Sequence, residues 1–146
     1  MRDFWKHKKL FDLSLAEWEA LCDGCAKCCL EKLEDADTGE IHYTDVACRL
    51  LDLETCRCKN YKNRKRIVPE CVTMSPETLP KIRWMPPTCA YVRLFKGEDP
   101  PPWHPLVTGD LASVHLAGAS ARGRIVSETG AGDLEDHIVT WPEDDL

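Results

Sequence analysis

The segment CDGCAKCC, residues 22–29, places four of the chain's nine cysteines within eight residues. It holds two overlapping Cys-x-x-Cys steps, from Cys22 to Cys25 and from Cys25 to Cys28, and Cys29 follows directly. A Cys-x-x-Cys pair is a common local means of supplying two thiolates to zinc or to an iron–sulfur cluster. The segment therefore predicts a metal centre, and we expect the fold to be organised around it.

The other five cysteines lie further along the chain: Cys48, Cys56, Cys58, Cys71 and Cys89. An odd number of cysteines leaves one thiol unpaired in any fully bridged disulfide scheme. The N-terminal residues also lack the apolar run of a secretory signal. We therefore expect a reducing cytoplasm, where disulfides are rare, and we predict that the nine cysteines are candidate metal ligands rather than disulfide partners.

The adjacent cysteines indicate more than one metal ion. Side chains of neighbouring residues usually diverge, so Cys28 and Cys29 are expected to serve different metals, or one of them to bridge two. A closed structural zinc site takes four ligands, so two such sites would use eight of the nine cysteines. We therefore predict a polynuclear cluster held by eight or nine thiolates.

The identity of the metal stays open between zinc and iron. The cysteine run resembles part of a bacterial ferredoxin pattern, but no cysteine precedes a proline as that pattern requires. The sequence also lacks the paired histidines of a zinc finger. Zinc is slightly favoured because the Cys-Cys and Cys-x-Cys pairs suit bridged thiolate clusters. If one cysteine is spare, His104 or Asp52 is predicted as an extra ligand.

Composition places the chain among ordinary globular proteins. Hydrophobic residues make up 43% and charged residues 30%, with a formal net charge of −6. No apolar run approaches the roughly 20 residues of a membrane span, so no membrane partner is expected. Ten prolines and eight glycines predict many loops. We predict one small, irregular α+β domain over residues 1–146, with a cysteine-bearing region at 15–95 and a cysteine-free part at 100–146.

Local patterns predict several short elements. Ser14 followed three residues later by Glu17 is a capping box. The helical spacing then continues along one face, which comprises Leu15, Trp18, Cys22, Cys25 and Cys29. A turn over residues 37–39 is predicted to precede a strand, and residues 124–128 (RIVSE) predict another strand.

Other segments are rich in proline or charge. Residues 75–84 (SPETLPKIRW) predict one or two helical turns capped by Ser75, and residues 109–118 predict a short helix from Asp110. Extended or turn structure is expected at two proline-rich stretches, and a charged stretch is expected to form a loop around the metal ligands. These stretches are 85–92 (MPPTCAYV), 98–106 (EDPPPWHPL) and 56–71 (CRCKNYKNRKRIVPEC).

Six basic residues and one tyrosine lie within residues 57–66 (RCKNYKNRKR). Lysines and arginines beside the cluster would offset its negative charge, which is about −5 for nine thiolates with two divalent ions. The alternatives are a solvated loop and a nucleic-acid-binding surface. The net charge of −6 argues against nucleic acid as a partner and favours charge compensation.

The sequence shows no catalytic constellation. It lacks a Gly-rich phosphate loop and a Gly-x-Ser-x-Gly nucleophile turn. Any enzymatic activity would have to come from the metal centre, as in a metal-centred oxidoreductase. An iron–sulfur or non-haem iron redox protein is therefore the alternative to a structural or metal-handling zinc protein, and a nucleic-acid-binding zinc protein is a third possibility. A protein partner is compatible with these interpretations, but no motif identifies one.

Several segments together resemble the YcgN-type cysteine-cluster proteins, within the CxxCxxCC family of zinc- or iron-chelating domains. They include CDGCAKCCL (22–30), TCRCKNY (55–61), MPPTCAY (85–91) and PPWHPLVTG (101–109). The resemblance extends from about Trp5 to Trp141. It implies metal binding, but no reaction or partner.

The resemblance also implies roles for particular residues. The signature ligands are Cys22, Cys25, Cys28 and Cys29, and the shared downstream positions are Cys48, Cys58 and Cys71. Cys56 and Cys89 match a narrower subgroup. Tyr61, Arg64 and Tyr91 are expected around the cluster, with packing as the favoured role of the aromatic residues.

Overall fold

A small four-stranded sheet lies at the centre of the fold. The structure is a computed structural model that describes residues 4–68, 71, 74–82 and 84–145. The strands are β1 (Leu30–Glu34), β2 (Ile41–Ala47), β3 (Val126–Ser127) and β4 (Ile138–Val139). The sheet therefore joins residues next to the cysteine segment with residues from the cysteine-free part.

The central strand of the sheet is β2. Along one edge it pairs antiparallel with β1, where Lys32 lies opposite Tyr43. On its other edge, its end pairs parallel with β3, where Val46 lies opposite Val126, and its middle pairs antiparallel with β4. The cysteine-free part thus supplies both short strands that complete this edge of β2.

Short helices surround the sheet. In the described part of the chain, the α-helices are α1 (Phe4–His7), α2 (Leu15–Ala20), α3 (Arg64–Ile67), α4 (Ala90–Phe95), α5 (Pro105–Thr108) and α6 (Ser113–Leu116). The 3-10 helices are Leu10–Asp12, Lys27–Cys29, Leu79–Lys81, Leu134–His137 and Pro142–Asp145. The predicted α+β class with many loops is confirmed. None of the helices described here is long and apolar enough to cross a membrane.

The predicted capping box is present at the start of α2. The Ser14 Oγ accepts a hydrogen bond from the Glu17 N–H at 3.1 Å, and the Glu17 Oε1 accepts one from the Ser14 N–H at 2.9 Å. Each side chain satisfies a backbone N–H that the first helical turn leaves without a partner. The box therefore fixes where the helix begins.

The prediction that one helical face continues to Cys29 is wrong. Helix α2 ends at Ala20, and Gly24 and Ala26 then take φ angles of +84° and +68°. These left-handed conformations cannot belong to a right-handed helix. The cysteines of residues 22–29 therefore lie on a curled loop that ends in a 3-10 turn.

The predicted turn and strand before residue 48 are confirmed. The Asp35 Oδ1 accepts hydrogen bonds from the N–H groups of Asp37 and Thr38, and Gly39 has a φ of +74°. Strand β2 begins two residues later. The turn therefore brings β1 and β2 side by side.

The remaining element predictions have mixed outcomes. The strand in 124–128 is confirmed as β3, and the helix in 109–118 forms over Ser113–Leu116, with the Asp110 Oδ1 accepting the Ala112 N–H at 2.9 Å. The Ser75 Oγ accepts the Thr78 N–H at 3.2 Å, but the helical turn begins at Leu79.

All three segments expected to lack helix contain one. Extended or turn structure was expected throughout 85–92 and 98–106, and this prediction is wrong for the last residues of each segment. Helix α4 begins at Ala90, and helix α5 begins at Pro105. The charged segment 56–71 includes the short helix α3. Pro69, Glu70 and Arg83, which fall within predicted segments, lie outside the described residues.

Two apolar clusters form the core among the residues that the structure describes, and cysteines lie in both. One cluster contains Trp18, Leu21, Met85, Cys89 and Tyr91, among others, and joins α2 to the start of α4. The other packs beneath the sheet and contains Ala26, Leu30, Ala47, Cys56 and Trp141, with Cys29 packed against it. The cysteine segment therefore lies between the two clusters.

Candidate metal centre

The loop that carries the first cysteines is shaped by Asp23. Its Oδ1 accepts a hydrogen bond from the Cys25 N–H at 3.0 Å, and its Oδ2 accepts one from the Trp103 Nε1 at 3.1 Å. The carboxylate is buried, and both contacts satisfy its oxygens. Asp23 thus fixes the turn between Cys22 and Cys25.

Four thiols from two parts of the chain form a first group. Three come from the loop, Cys22, Cys25 and Cys28, and the fourth is Cys89 at the start of α4. Burial first, and the neighbouring charge of Cys28 second, raise the pKa of Cys22 to about 12. Burial first, and then the charges of Cys28 and Cys22, raise the pKa of Cys89 to about 12 as well.

The pKa of Cys25 is also raised, first by burial, then by the charges of Asp23 and Cys28. These four thiols are therefore close enough for one charge to disfavour the next. As residues, Cys22 and Cys28 keep exposed surface although surrounding protein atoms desolvate the Cys22 sulfur, so an ion can reach the group from solvent. A divalent metal would relieve the mutual repulsion of the thiolates, because metal ligation stabilises the deprotonated form.

The adjacent Cys29 leads to a second group. Its carbonyl oxygen accepts a hydrogen bond from the Cys48 N–H at 2.8 Å, and the charge of Cys48 contributes to raising its pKa. Cys71 in turn contributes to raising the pKa of Cys48, although burial is the largest cause there. Cys29, Cys48 and Cys71 therefore form a second group of neighbouring thiols.

The two groups meet at the Cys28–Cys29 pair. The Cys29 thiol donates a hydrogen bond to the Cys28 sulfur, which lowers the pKa of Cys28 and raises that of Cys29. A thiolate at Cys28 next to a thiol at Cys29 is one arrangement that a metal ion would replace, since both sulfurs can then be deprotonated.

The last two cysteines lie on the loop after β2. Cys58 forms an isolated β-bridge with Leu51. The Leu51 N–H in turn donates a hydrogen bond to the Cys48 carbonyl at 2.9 Å. Cys58 is therefore next to the second group. Cys56 is buried with a φ of +59°. Burial raises its pKa, and Arg122 and Ser120 lower it.

A lysine that the sequence analysis did not single out lies beside these thiols. The Lys32 Nζ donates to the carbonyls of Lys27 and Leu30 at 2.8 and 2.6 Å and lies 4.7 Å from the centre of the Trp84 ring. Burial lowers its pKa, while the charges of Cys28 and Cys29 raise it. The sequence feature that could have pointed to Lys32 is its position four residues after Cys28.

Arg57 is the basic residue of 57–66 that faces the cysteine loop. Its guanidinium lies 3.8 Å from the point where a side chain at position 24 would begin, so it packs close to Gly24. Burial has the larger effect on the pKa of Cys22 and raises it, while the charge of Arg57 lowers it. Lys62, Lys65 and Arg66 are exposed. Arg57 therefore supports the charge-compensation prediction, whereas these three match a solvated surface.

The aromatic residues predicted near the cluster divide in the same way. The Tyr91 hydroxyl donates to the Trp18 carbonyl at 2.7 Å, and burial first, then the charge of Cys22, raises its pKa. Tyr61 is exposed, and the Arg64 guanidinium lies 3.9 Å from its ring centre. Tyr91 is thus buried next to the first group, whereas Tyr61 is exposed to solvent and stacks with Arg64.

The two predicted extra ligands hold backbone groups. The fully buried His104 accepts the Leu106 N–H at its Nδ1 at 3.0 Å, so its Nε2 carries the proton and donates to the Leu21 carbonyl at 2.7 Å. The Asp52 Oδ1 accepts the N–H groups of Glu54 and Thr55. His104 as placed has no ring nitrogen left for a metal, and Asp52 shapes the turn before Cys56.

The donor set fits zinc or iron by its chemistry. All nine cysteines are free thiols, and thiolates select zinc, copper(I) and iron–sulfur clusters among metal ions. In the described ranges, no three or more Cys, His, Asp or Glu side chains form a group with metal-site geometry. The thiols would therefore have to move closer together to complete a site.

Comparison with known proteins supports a metal-binding role for the chain. A family model described as "CxxCxxCC: Putative zinc- or iron-chelating domain" matches residues 21–90. A "UPF0260 protein" from Parvibaculum lavamentivorans is 60% identical to the chain, with 95% of this chain and 92% of the relative covered. The chain belongs to the UPF0260 family. Relatives of the same name from Shewanella amazonensis and Rhizorhabdus wittichii are 51% and 58% identical, over 99% and 94% of both chains.

Membership of the UPF0260 family confirms the resemblance found in the sequence and supports a metal-binding role. The match to the chelating-domain model spans all nine cysteines. Strands β3 and β4 and helices α5 and α6 lie outside it. No solved structure matches the chain.

Proposed function

We propose that this UPF0260 protein binds more than one zinc or iron ion through two groups of cysteine thiolates, in a structural or metal-handling role. The observation that carries the proposal is the position of the adjacent cysteines. Cys28 interacts with the other thiols of the first group, and Cys29 is hydrogen-bonded through its backbone to Cys48 of the second. One chain position thus connects two sets of ligands.

The first group supplies the number of ligands that a closed zinc site takes. Its members are Cys22, Cys25, Cys28 and Cys89. A four-thiolate zinc site is tetrahedral and has a net charge of −2. Arg57 and Lys32 lie near these thiols, and their positive charges would offset that charge in the manner of residues that surround a metal site.

The second group reaches the same number if Cys58 joins it. Cys29, Cys48 and Cys71 interact electrostatically in sequence, and the bridge between Cys58 and Leu51 places Cys58 next to the turn after Cys48. Two four-thiolate sites then use eight cysteines. Cys56, which contacts Ser120 and Arg122, is the one left outside both groups.

Zinc is the metal we favour. The Cys28–Cys29 pair suits two neighbouring thiolate sites, whereas the ferredoxin pattern is incomplete. The odd number of cysteines, which leaves one thiol unpaired in any disulfide scheme, is the reason we propose a reducing compartment such as the cytoplasm, where disulfides are rare. We propose that residues 15–95 and 100–146 act as one unit, with the ligands in the first and supporting strands in the second.

The test is anaerobic purification followed by metal analysis and an optical spectrum. We expect a colourless protein with two zinc ions per chain. A coloured protein containing iron and acid-labile sulfide would instead establish the iron–sulfur alternative. A protein that binds neither metal, even after reconstitution, would refute the proposed function.

A further inference from the structure

We infer that the C-terminal segment 120–143 positions the ligand loop between Cys25 and Cys28, and that Glu143 is the residue through which it acts. The inference rests on the proposed function, because it concerns how the metal-binding loop is held. The segment lies outside the part of the chain that matches the chelating-domain model. Glu143 is therefore a positioning residue rather than a ligand.

The first observation is a buried lysine inside the cysteine motif. Lys27 lies between Cys25 and Cys28, and only 2% of its side chain is exposed. Its Nζ lies 2.6 Å from the Glu143 Oε2. A buried ammonium group is strongly unfavourable without a paired charge, so this contact accounts for how the motif tolerates an internal lysine.

The carboxylate of Glu143 is itself held in place. The Arg124 Nη1 and Nη2 donate to its two oxygens at 3.0 and 2.6 Å, a two-pronged geometry that fixes orientation as well as charge. Arg124 also donates to the Ser120 carbonyl from its Nε and Nη2. Burial raises the pKa of Glu143, but the hydrogen bonds from Arg124 and Lys27 outweigh it and lower the pKa to about 2.

An aromatic ring completes this support. Trp141 is buried, and its ring centre lies 4.4 Å from the Arg124 guanidinium and 5.6 Å from the Lys27 Nζ. Both cations therefore lie within the range of a cation–π interaction, which strengthens when the cation is desolvated. The ring therefore contacts both cations that pair with Glu143.

The backbone of the loop depends on the same segment. The Ala121 N–H donates to the Cys25 carbonyl at 2.8 Å, next to Ala26 with its φ of +68°. A residue with a β-carbon is strained in this left-handed conformation and keeps it only when surrounding contacts enforce it. Because Ala26 and Lys27 set the directions of Cys25 and Cys28, contacts that hold them also aim the two thiols.

The experiment compares three full-length variants with the wild type. E143Q leaves the Lys27 ammonium without its buried carboxylate, whereas K27M/E143Q removes both charges. H137Q is the control, because it breaks another contact of the C-terminal segment, the 2.8 Å pair between His137 and Asp45, without touching the loop. Two rates are measured: zinc transfer from reconstituted protein to a chromogenic chelator, and amide hydrogen exchange over residues 25–30 in metal-free protein.

We expect E143Q to transfer zinc about 10- to 100-fold faster than the wild type, the usual effect of losing a group that orients a metal ligand. Exchange over residues 25–30 should rise in E143Q and return towards the wild-type rate in K27M/E143Q. H137Q should leave both rates unchanged. Wild-type rates in E143Q, or an equal increase in H137Q, would overturn the inference.

The two readouts separate this inference from the proposed function. If the wild type binds no zinc, the proposed function fails, and the exchange rates alone decide whether Glu143 holds the loop. If the wild type binds two zinc ions and E143Q matches it in both rates, the proposed function stands and the positioning role of Glu143 is refuted.

Discussion

The Cys48 N–H donates a hydrogen bond to the Cys29 carbonyl at 2.8 Å. This bond joins the residue that begins the loop after β2 to the second of the two adjacent cysteines. Cys28, by contrast, interacts with Cys22, Cys25 and Cys89. The doubled cysteine therefore stands at the boundary between two sets of thiols.

We predict that C28S and C29S each lower the metal content. Each substitution removes one thiolate from a different group, so each should lose about one ion per chain, since a closed zinc site takes four ligands. Metal analysis of the purified variants provides the measurement. C56S is the matched control and should retain the wild-type count. Full metal content in C28S or C29S would contradict the two-group arrangement.

Charge compensation by Arg57 can be separated from the remainder of the basic run. R57Q removes the guanidinium that lowers the pKa of Cys22, so we expect weaker zinc binding in a chelator competition. K65Q changes the net charge equally at an exposed position and should bind zinc like the wild type. Since Arg57 is also exposed, the effect should be modest, less than about tenfold. Equal weakening in both variants would indicate a general charge effect.

Tyr91 is expected to stabilise the fold beside the first group. Y91F removes the hydroxyl that donates to the Trp18 carbonyl but keeps the ring that packs on Trp18 at 4.6 Å. The lost buried hydrogen bond should lower the free energy of unfolding by about 1 kcal/mol, measured by urea denaturation. An unchanged metal count would agree with a packing role, and a reduced count would instead place the hydroxyl in the metal centre.

The capping box at the start of α2 gives a further stability prediction. S14A should lower the free energy of unfolding by about 1 kcal/mol, because the Glu17 N–H loses its side-chain acceptor. E17Q is the control: glutamine preserves the box and loses only the ion pair with Lys8. Its effect in urea denaturation should be smaller, and an equal effect would show that the ion pair dominates.

The His137–Asp45 pair predicts a dependence of stability on pH. A hydrogen bond to the Ala131 carbonyl first, and one to Asp45 second, raise the pKa of His137 above 6.5. A raised pKa in the folded protein means that the contribution is fully present below the unfolded value and is lost as pH rises through the folded value. The difference in urea stability between wild type and H137Q should therefore shrink as the pH rises above 6.5. A constant difference would contradict this.

The sequence predicted the elements that local contacts specify. The capping box involves Ser14 and Glu17 alone, and the turn before β2 depends on Asp35 and its neighbours. In each pattern the interacting residues are two or three positions apart, so the sequence alone is enough to predict the hydrogen bonds between them. The end of α2 depends on positive φ angles at Gly24 and Ala26, and an alanine in that conformation has no local sequence signal.

The surroundings of the cysteines were harder to predict because their partners are distant in sequence. Lys27 lies between cysteines and is buried, and its paired charge, Glu143, is more than 100 residues away in sequence. His104 is predicted as an extra ligand if one cysteine is spare. In the structure it caps α5 and bonds to Leu21, which no spacing rule reveals.

The contact between Lys27 and Glu143 also bears on the order of events during synthesis. A ribosome completes the four cysteines of residues 22–29 long before it adds Glu143, and a nascent chain grows at about 5–20 residues per second. If metal is bound as soon as those cysteines emerge, the ion meets a loop whose final shape is not yet enforced. Accurate loading is therefore expected only after Glu143 has been synthesised and has paired with Lys27.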